Sequence, residues 1–162
     1  EFRARAVAEY TANLSSNAIG QYIFGALAHE RGADLRAWYD RQRGYYAAMM
    51  REVATGLRAE LPGLIVTKPE ASLYAIIDVR NVAPPDFQAS AFVHHCATVG
   101  RVPLGAEGDH TLLISPLGGF YGEQRDPDPA ATQMRLAFVA PPDEMKKVPR
   151  LFAALFRAYC AD

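Results

Sequence analysis

The sequence has little of what several protein classes require. Its 162 residues include only two cysteines, Cys96 and Cys160, which excludes a disulfide-stapled scaffold and favours a reduced compartment. No apolar run is long enough to cross a membrane, and the charged first residues do not resemble a secretory signal. The net charge is only -1, with acids and bases interspersed, which argues against nucleic-acid or anionic-membrane binding. We therefore expect a cytoplasmic, globular protein with a substantial core.

The first third of the sequence has helical periodicity. Apolar residues recur at helical spacing over residues 17–30, and a longer stripe over about 33–61 ends at a Pro-Gly pair. Ser15 and Ser16 precede the first stretch as candidate N-caps. At 1.5 Å per residue the second helix would reach roughly 40 Å, which is long enough to connect two domains.

The rest of the sequence changes to short strands separated by turns and two helices. Strands are predicted at residues 64–67, 71–79, 102–104, 111–115 and 133–140. Helices are predicted at 87–99 and near the C-terminus, where Pro149 must open a second helical segment if it is not to break the helix. The strand at 71–79 is apolar on both faces, which predicts a central, covered strand. Two strands in direct succession favour an α+β fold with helices packed on a small, mostly antiparallel sheet.

Arg135 is the residue whose chemistry stands out most. It lies in the otherwise apolar strand 133–139, where a guanidinium is costly to bury without an anion. Its planar fork matches a carboxylate bidentately, which predicts a ligand site. The alternatives are an internal ion pair with Glu70 or Asp78, or a strand edge that exposes Arg135 to solvent.

Other chemical motifs in the sequence are weak. The glycines of loop 115–122 could let the backbone approach a ligand, but the loop lacks the spacing of a nucleotide-binding loop and such loops are more often tight connections. The His-His-Cys run at 94–96 places its side chains about 100° apart on a helix, which does not suit one metal ion. His29 and His110 have no partner at metal-ligand spacing, so no metal site is predicted. No nucleophile motif of a hydrolase is present.

Four segments, in order, resemble the C-terminal part of the class I/II, fold-type I, pyridoxal-phosphate-dependent aminotransferases. Residues 68–74 are similar to the family's Lys-Pro-Glu-Gly-Ala-Phe-Tyr segment, and 99–104 to the end of a helix before a short strand. Residues 115–122 are similar to its Pro-Gly-x-x-Phe-Gly loop. Residues 134–138 resemble its Leu-Arg-Ile-Ser-Phe strand. The resemblance implies that Arg135 binds the α-carboxylate of an amino-acid substrate.

The resemblance also covers the start of the chain. Residues 14–21 are similar to a loop-to-helix segment in which a serine reaches the cofactor phosphate of the neighbouring subunit of a homodimer. It therefore implies this role for Ser15 or Ser16, with simple N-capping an equally weighted alternative.

The same resemblance implies a domain arrangement with definite boundaries. Residues 1–32 would be the tail end of a large cofactor-binding domain, 33–62 a long linking helix, and 63–162 the small C-terminal domain.

Much of that family's machinery has no counterpart in this sequence. The family's Schiff-base lysine lies in a Ser-Lys context, whereas the three lysines here are Lys68 in a turn and Lys146 and Lys147 at a charged helix start. We therefore expect this chain to be an inactive fragment by itself, and transamination with pyridoxal 5'-phosphate to belong to a longer enzyme.

The substrate class stays open at this stage. Residues 10–13 lack the arginine that dicarboxylate-specific members of the family bring from the neighbouring subunit, yet aspartate or another L-amino acid remains compatible. The same fold also serves lyases, decarboxylases and acyl-transferring synthases. Outside this family, the alternatives are a free-standing α+β module that binds a small carboxylate and a purely structural dimerisation domain.

Overall fold

A computed structural model shows how the helices and strands are arranged. It describes residues 2–12, 17–68, 70, 72–121 and 128–161. The chain divides into two compact units, residues 1–43 and 44–162. None of the helices among the described residues is long and apolar enough to span a membrane.

The first unit is helical. Its helices are α1 (Phe2–Ala12), α2 (Ala18–Gly25) and the first part of α3 (Gly32–Glu60). The helix predicted at 17–30 is shorter than expected, because the chain tightens into a 3-10 turn at Ala26–His29, as helix ends often do. The N-cap of α2 is Asn17 and not a serine: its side-chain oxygen accepts a hydrogen bond from the Gly20 amide at 2.9 Å.

Helix α3 contributes its second part to the core of residues 44–162. The buried residues of this helix recur at spacings of three and four: Met49, Met50, Val53, Ala54 and Leu57. Gly63 follows the helix with a φ of +97°, a backbone conformation that glycine adopts without steric cost. The Pro-Gly pair that predicted the end of the helix therefore ends it in the structure as well.

The main sheet has four antiparallel strands, which confirms the predicted α+β class. Its strands are β1 (Ile65–Val66), β2 (Tyr74–Asp78), β5 (Ser115–Pro116) and β6 (Gln133–Ala137), in the order β1-β2-β6-β5. A separate hairpin pairs β3 (Val102–Pro103) with β4 (Asp109–His110). The predicted strand 111–115 is wrong except for Ser115, which begins β5. Over residues 111–114 the chain crosses between the two sheets, and Thr111 Oγ1 donates to the Cys96 carbonyl oxygen at 2.6 Å.

Among the described residues of this unit, only one face of the main sheet is covered. Ala75, Ile77, Met134 and Leu136 on that face belong to the buried core. Helices α4 (Ala89–Thr98) and α6 (Val148–Ala161) contribute Phe92 and Phe152, both fully buried, to the same core. Strand β2 is central, as predicted, but it is not covered on both faces: Tyr74 is exposed and Ile76 half-buried on the other side. The apolar residues on that side had suggested a second covering layer.

The C-terminal helical region is split in two. A short helix α5 (Pro142–Met145) precedes α6, and Pro149 is the second residue of α6. A proline at the start of a helix removes only an amide that has no intrahelical partner. This confirms the prediction that Pro149 opens a second helical segment, and its buried ring packs close to Gly56 of α3.

Candidate functional site

Arg135 lies in the main sheet on the face opposite the core. Its neighbours on β6, Met134 and Leu136, are 0% and 2% exposed, and Arg135 is half-buried between them. Side chains alternate between the two faces of a strand, so burial of Met134 and Leu136 leaves Arg135 on the open face. Ile76 of β2 stands opposite Arg135 on one side, and Ser115 of β5 stands opposite it on the other.

Two aromatic rings hold the guanidinium. The Cζ atom of Arg135 lies 4.5 Å from the centre of the Tyr74 ring and 4.7 Å from the centre of the Phe120 ring. Tyr74 precedes Ile76 by two residues, which brings its side chain to the same face of the sheet. Phe120 comes from the glycine-rich loop, at the end of the 3-10 turn Gly118–Phe120. We call Tyr74 and Phe120 the aromatic clamp; cation–π attraction to both rings restrains Arg135.

The guanidinium of Arg135 makes neither a hydrogen bond nor an ion pair with any of the described residues. The internal partners considered from the sequence were Glu70 and Asp78. Asp78 is instead bonded to Arg80, and no ion pair joins Glu70 to Arg135 among the described residues. An arginine always carries its charge and offers five N–H donors. Its donors are therefore available to an anion that approaches the open face.

Asp78 is the centre of a separate polar network at the end of β2. Its carboxylate accepts hydrogen bonds from Arg80 Nε at 2.7 Å, Thr132 Oγ1 at 2.8 Å and Gln133 Nε2 at 2.9 Å. Burial raises the pKa of Asp78, but the hydrogen bonds from Arg80, Gln133 and Thr132 together outweigh it and hold that pKa below its usual value. Asp78 is therefore an ionised structural carboxylate.

This network reaches the loop that carries Phe120. Tyr121 donates a hydrogen bond from its hydroxyl to Gln133 Oε1, and Gln133 in turn bonds to Asp78. Tyr121 directly follows Phe120 in the chain, so the anchored tyrosine restrains the position of the clamp ring. The Asp78 network thus fixes the loop that carries Phe120, whereas Arg135 lies on the open face of the sheet.

The other site residues predicted from the resemblance cannot be placed in the same way. Ser15 and Ser16 lie outside the described residues, so their role at a cofactor phosphate stays a prediction. Helix α2, which follows them, is capped by Asn17.

The histidines and cysteines form no metal centre among the described residues. His94 is exposed, whereas the ring of His95 packs against Tyr159 with 5.2 Å between ring centres. Burial raises the pKa of the Cys96 thiol to about 11, so this residue is an un-ionised part of the core.

Two of the three lysines are engaged at the surface. Lys146 Nζ lies 3.2 Å from Asp143 Oδ1, and Lys147 Nζ lies 2.9 Å from Glu144 Oε1. The third, Lys68, is exposed after β1.

The aromatic clamp is the functional feature that sequence reasoning missed. Both of its residues stand in segments that carried the family resemblance, at 68–74 and 115–122. Alternation along β2 could have placed Tyr74 on the face of Arg135, given the register. Nothing in the local pattern indicates that Phe120 reaches the same guanidinium, because that depends on the pairing of β5 with β6.

Comparison with solved structures shows which known folds resemble this one. The α-aminoadipate aminotransferase of Thermus thermophilus, solved with N-(5'-phosphopyridoxyl)-L-leucine, matches 95% of this chain with 34% of its own length. That match has a TM-score of 0.68 and 16% sequence identity. The kynurenine aminotransferase of Pyrococcus horikoshii matches 97% of this chain with 34% of its own, at a TM-score of 0.65 and 17% identity.

A third match, to an archaeal alanine:glyoxylate aminotransferase, covers 70% of this chain and 24% of the other, at a TM-score of 0.53 and 19% identity. No protein-family model and no curated protein sequence matches this chain. The chain thus has the fold found in about a third of the length of fold-type I aminotransferases, as the sequence resemblance implied.

Proposed function

We propose that this chain is the C-terminal part of a pyridoxal-phosphate-dependent aminotransferase in which Arg135 binds the α-carboxylate of the substrate. The observation that carries the proposal is the half-buried guanidinium of Arg135, held by Tyr74 and Phe120 and bonded to none of the described residues. The shared fold supports it, because the solved neighbours are aminotransferases. The substrates would be an L-amino acid and a 2-oxo acid.

Arg135 would orient the substrate. A guanidinium that binds both oxygens of a carboxylate fixes the plane of that group, and with it the directions of the bonds at the α-carbon. The clamp rings limit the rotation of the guanidinium and reduce its exposure to water, which strengthens the charge–charge attraction. Tyr74 and Phe120 are thus positioning residues, and Arg135 is the group that touches the substrate.

The described residues fit the substrate side of such an active site. The open face near Arg135 offers a cation, which suits a carboxylate, and two aromatic rings that hold this cation. Pyridoxal phosphate, when bound, supplies the electron sink for amino-group transfer. In this chain Ser15 or Ser16 would contact it, at the phosphate held by the neighbouring subunit of a homodimer. The Schiff-base lysine would come from the rest of the enzyme, so this chain alone would be inactive.

The surface of the first unit supports the proposal that its residues pack against a larger domain. Residues 1–32 would end the large cofactor-binding domain, 33–62 would link the domains, and 63–162 would form the small domain. Large apolar side chains such as Ile19, Tyr22 and Phe24 are exposed in the first of these segments. A surface of this kind is expected where a further part of the enzyme packs.

The substrate side chain is not fixed by any residue that we can name. Residues 10–13 contain no arginine for a second carboxylate, so a dicarboxylate such as aspartate would need a cation from elsewhere in the enzyme. We propose a cytoplasmic location, consistent with the reduced cysteines.

The proposal is tested by Arg135→Lys in the longer enzyme that contains this chain. Lysine keeps the charge but loses the bidentate fork, so we expect kcat/KM for the amino-acid half-reaction to fall by roughly 10²-fold. Absorbance of the bound cofactor should be unchanged, because Arg135 does not hold it. Arg150→Lys, at an exposed arginine of α6, is the matched control and should leave the kinetics unchanged.

The opposite result would identify Arg135 as a structural residue. In that case thermal stability would fall strongly and kinetics per folded molecule would stay normal. If the longer protein instead binds a 2-oxo acid but shows no cofactor absorbance band sensitive to borohydride, the chain belongs to a carboxylate-binding protein without this chemistry.

A further inference from the structure

The structure also contains a concave surface beside the long helix α3. It is a groove of about 500 Å³ between α3 and the segment after β1. Ala47 of α3 lies in one wall of the groove, and Thr67 and Lys68 form the other. Met50 and Ala54 of α3 form its floor. We call this surface the basic groove.

All charged residues that line the basic groove are positive. They are Arg51 and Arg58 on α3 and Lys68 after β1. The groove on another side of α3 is different, because Glu52 and Glu60 line it together with cations. The second half of α3 thus directs Arg51 and Arg58 toward one groove and Glu52 and Glu60 toward the other.

The cations of the basic groove are available to a ligand. Arg51 and Lys68 make no ion pair or hydrogen bond within the described part of the chain. Arg58 donates one hydrogen bond, to the Val66 carbonyl oxygen at 2.7 Å, which fixes its guanidinium and leaves other N–H groups free. A cation that is already held in place loses less side-chain entropy when it binds an anion.

The floor of the basic groove is apolar. Met50 and Ala54 are each 7% exposed and belong to the core. Thr67 is also fixed: its amide donates to the Ile76 carbonyl oxygen, and its hydroxyl oxygen accepts from the Ile76 amide, both at 2.9 Å. The groove therefore combines an apolar floor, a fixed hydroxyl and three cations.

We infer that the basic groove binds a small organic anion with an apolar body and a carboxylate or phosphate head group. Its volume falls in the range of roughly 300–1,000 Å³ that is usual for small-molecule sites. The body would cover Met50 and Ala54, and the head group would meet Arg51, Arg58 and Lys68. The lining of the groove does not include Arg135, Tyr74 or Phe120, so the inference does not depend on the function proposed above.

Calorimetric titration of the 162-residue chain with phenyl phosphate at low salt tests this inference. We expect binding that weakens as salt rises, because salt screens the exposed cations. Phenol and inorganic phosphate, which each carry half of the ligand's chemistry, should bind more weakly. An equally tight association of phenol would contradict the inference, as would inorganic phosphate binding as tightly as phenyl phosphate.

Variants locate the binding. The double substitution Arg51→Gln with Lys68→Gln should weaken phenyl phosphate binding by about tenfold or more, since two exposed ion pairs are lost. Arg150→Gln, in the groove of mixed charge, should have no effect. Arg135→Gln should also leave this binding unchanged, which separates the site from the proposed carboxylate site.

A space-filling variant tests the groove without removing charge. Ala47→Phe should reduce the affinity for phenyl phosphate and leave that for inorganic phosphate unchanged, because Ala47 is an exposed residue of the groove wall. Circular dichroism would verify that each variant is folded. If phenyl phosphate affinity survives both the double substitution and Ala47→Phe, the ligand binds elsewhere and the inference is wrong.

Discussion

The two units of this chain use similar aromatic residues in opposite ways. In residues 44–162, Phe92 and Phe152 are fully buried in one core. In residues 1–43, Tyr22 and Phe24 are 84% and 76% exposed, and no residue whose burial is described in that unit is buried. The spacing of apolar residues along the sequence does not show this difference, because both units have apolar stripes at helical spacing.

A stripe of apolar residues therefore predicts some features of a helix and not others. Such a stripe predicts a helix and shows which side seeks an apolar partner. It does not show whether that partner belongs to the same unit. In α3 the same continuous stripe includes Trp38, which is 48% exposed, and Val53, which is 1% exposed. Matched substitutions in the two units therefore test whether this difference in burial produces a difference in stability.

The largest effect is expected from removing a core ring. Phe152→Ala should lower the free energy of unfolding by about 3–5 kcal/mol, because it leaves a cavity where Phe92 and Phe156 pack. Phe24→Ala should change it by less than about 0.5 kcal/mol in the same chain. Urea denaturation followed by circular dichroism measures both. An equal loss of unfolding free energy in both variants would contradict this prediction, since it would mean that Phe24 is buried in solution.

A smaller effect is expected from the buried polar network. Asp78→Asn should cost about 1–3 kcal/mol, because Arg80 and Thr132 lose a charged acceptor. In the first unit, Asp40→Asn removes only an exposed pair with Arg43 and should change stability little.

The lowered pKa of Asp78 also predicts how its contribution to stability changes with pH. The folded-state pKa of Asp78 is lowered, so its stabilising contribution is present above the usual carboxyl pKa of about 4 and is lost as the pH falls toward the folded value. Asp78→Asn should remove that part of the acid-induced loss of stability. An unchanged acid profile in the variant would show that Asp78 does not carry this contribution.

The last prediction compares two glycines of α3. A methyl group at Gly56 would lie 2.7 Å from Cγ of Pro149, whereas one at Gly44 has nothing within 4 Å. Gly44→Ala should stabilise the chain by about 0.5–1 kcal/mol through helix propensity. Gly56→Ala should destabilise it by about 1–3 kcal/mol through overpacking against the proline ring. Stabilisation by both substitutions would mean that α3 and α6 are not tightly packed.

Local sequence rules predicted much of this fold. The end of α3, the opening of α6 at Pro149 and the antiparallel succession of β1 and β2 follow from turn residues and periodicity. The strand expected at 111–115 failed because the crossing between two sheets depends on long-range pairing, including the bond from Thr111 to Cys96. No local pattern encodes that contact.

The candidate site was predictable to a similar degree. A charged residue in an apolar strand identified Arg135 without any knowledge of its neighbours. Its surroundings required the register between strands, which brings Tyr74 and Phe120 to one guanidinium. Asp78, which the sequence offered as an internal partner of Arg135, is instead paired with Arg80, two residues further along the chain.

The alternation along β6 restricts how this protein can change in length. A single residue inserted or deleted within the paired stretch before Arg135 would exchange the two faces of every later position. Arg135 would then enter the core, and Leu136 would turn toward solvent. Two-residue changes preserve the faces but shift each cross-strand partner. We therefore expect insertions and deletions in related proteins to occur in the connections and not within β6, where they would move Arg135 away from the open face.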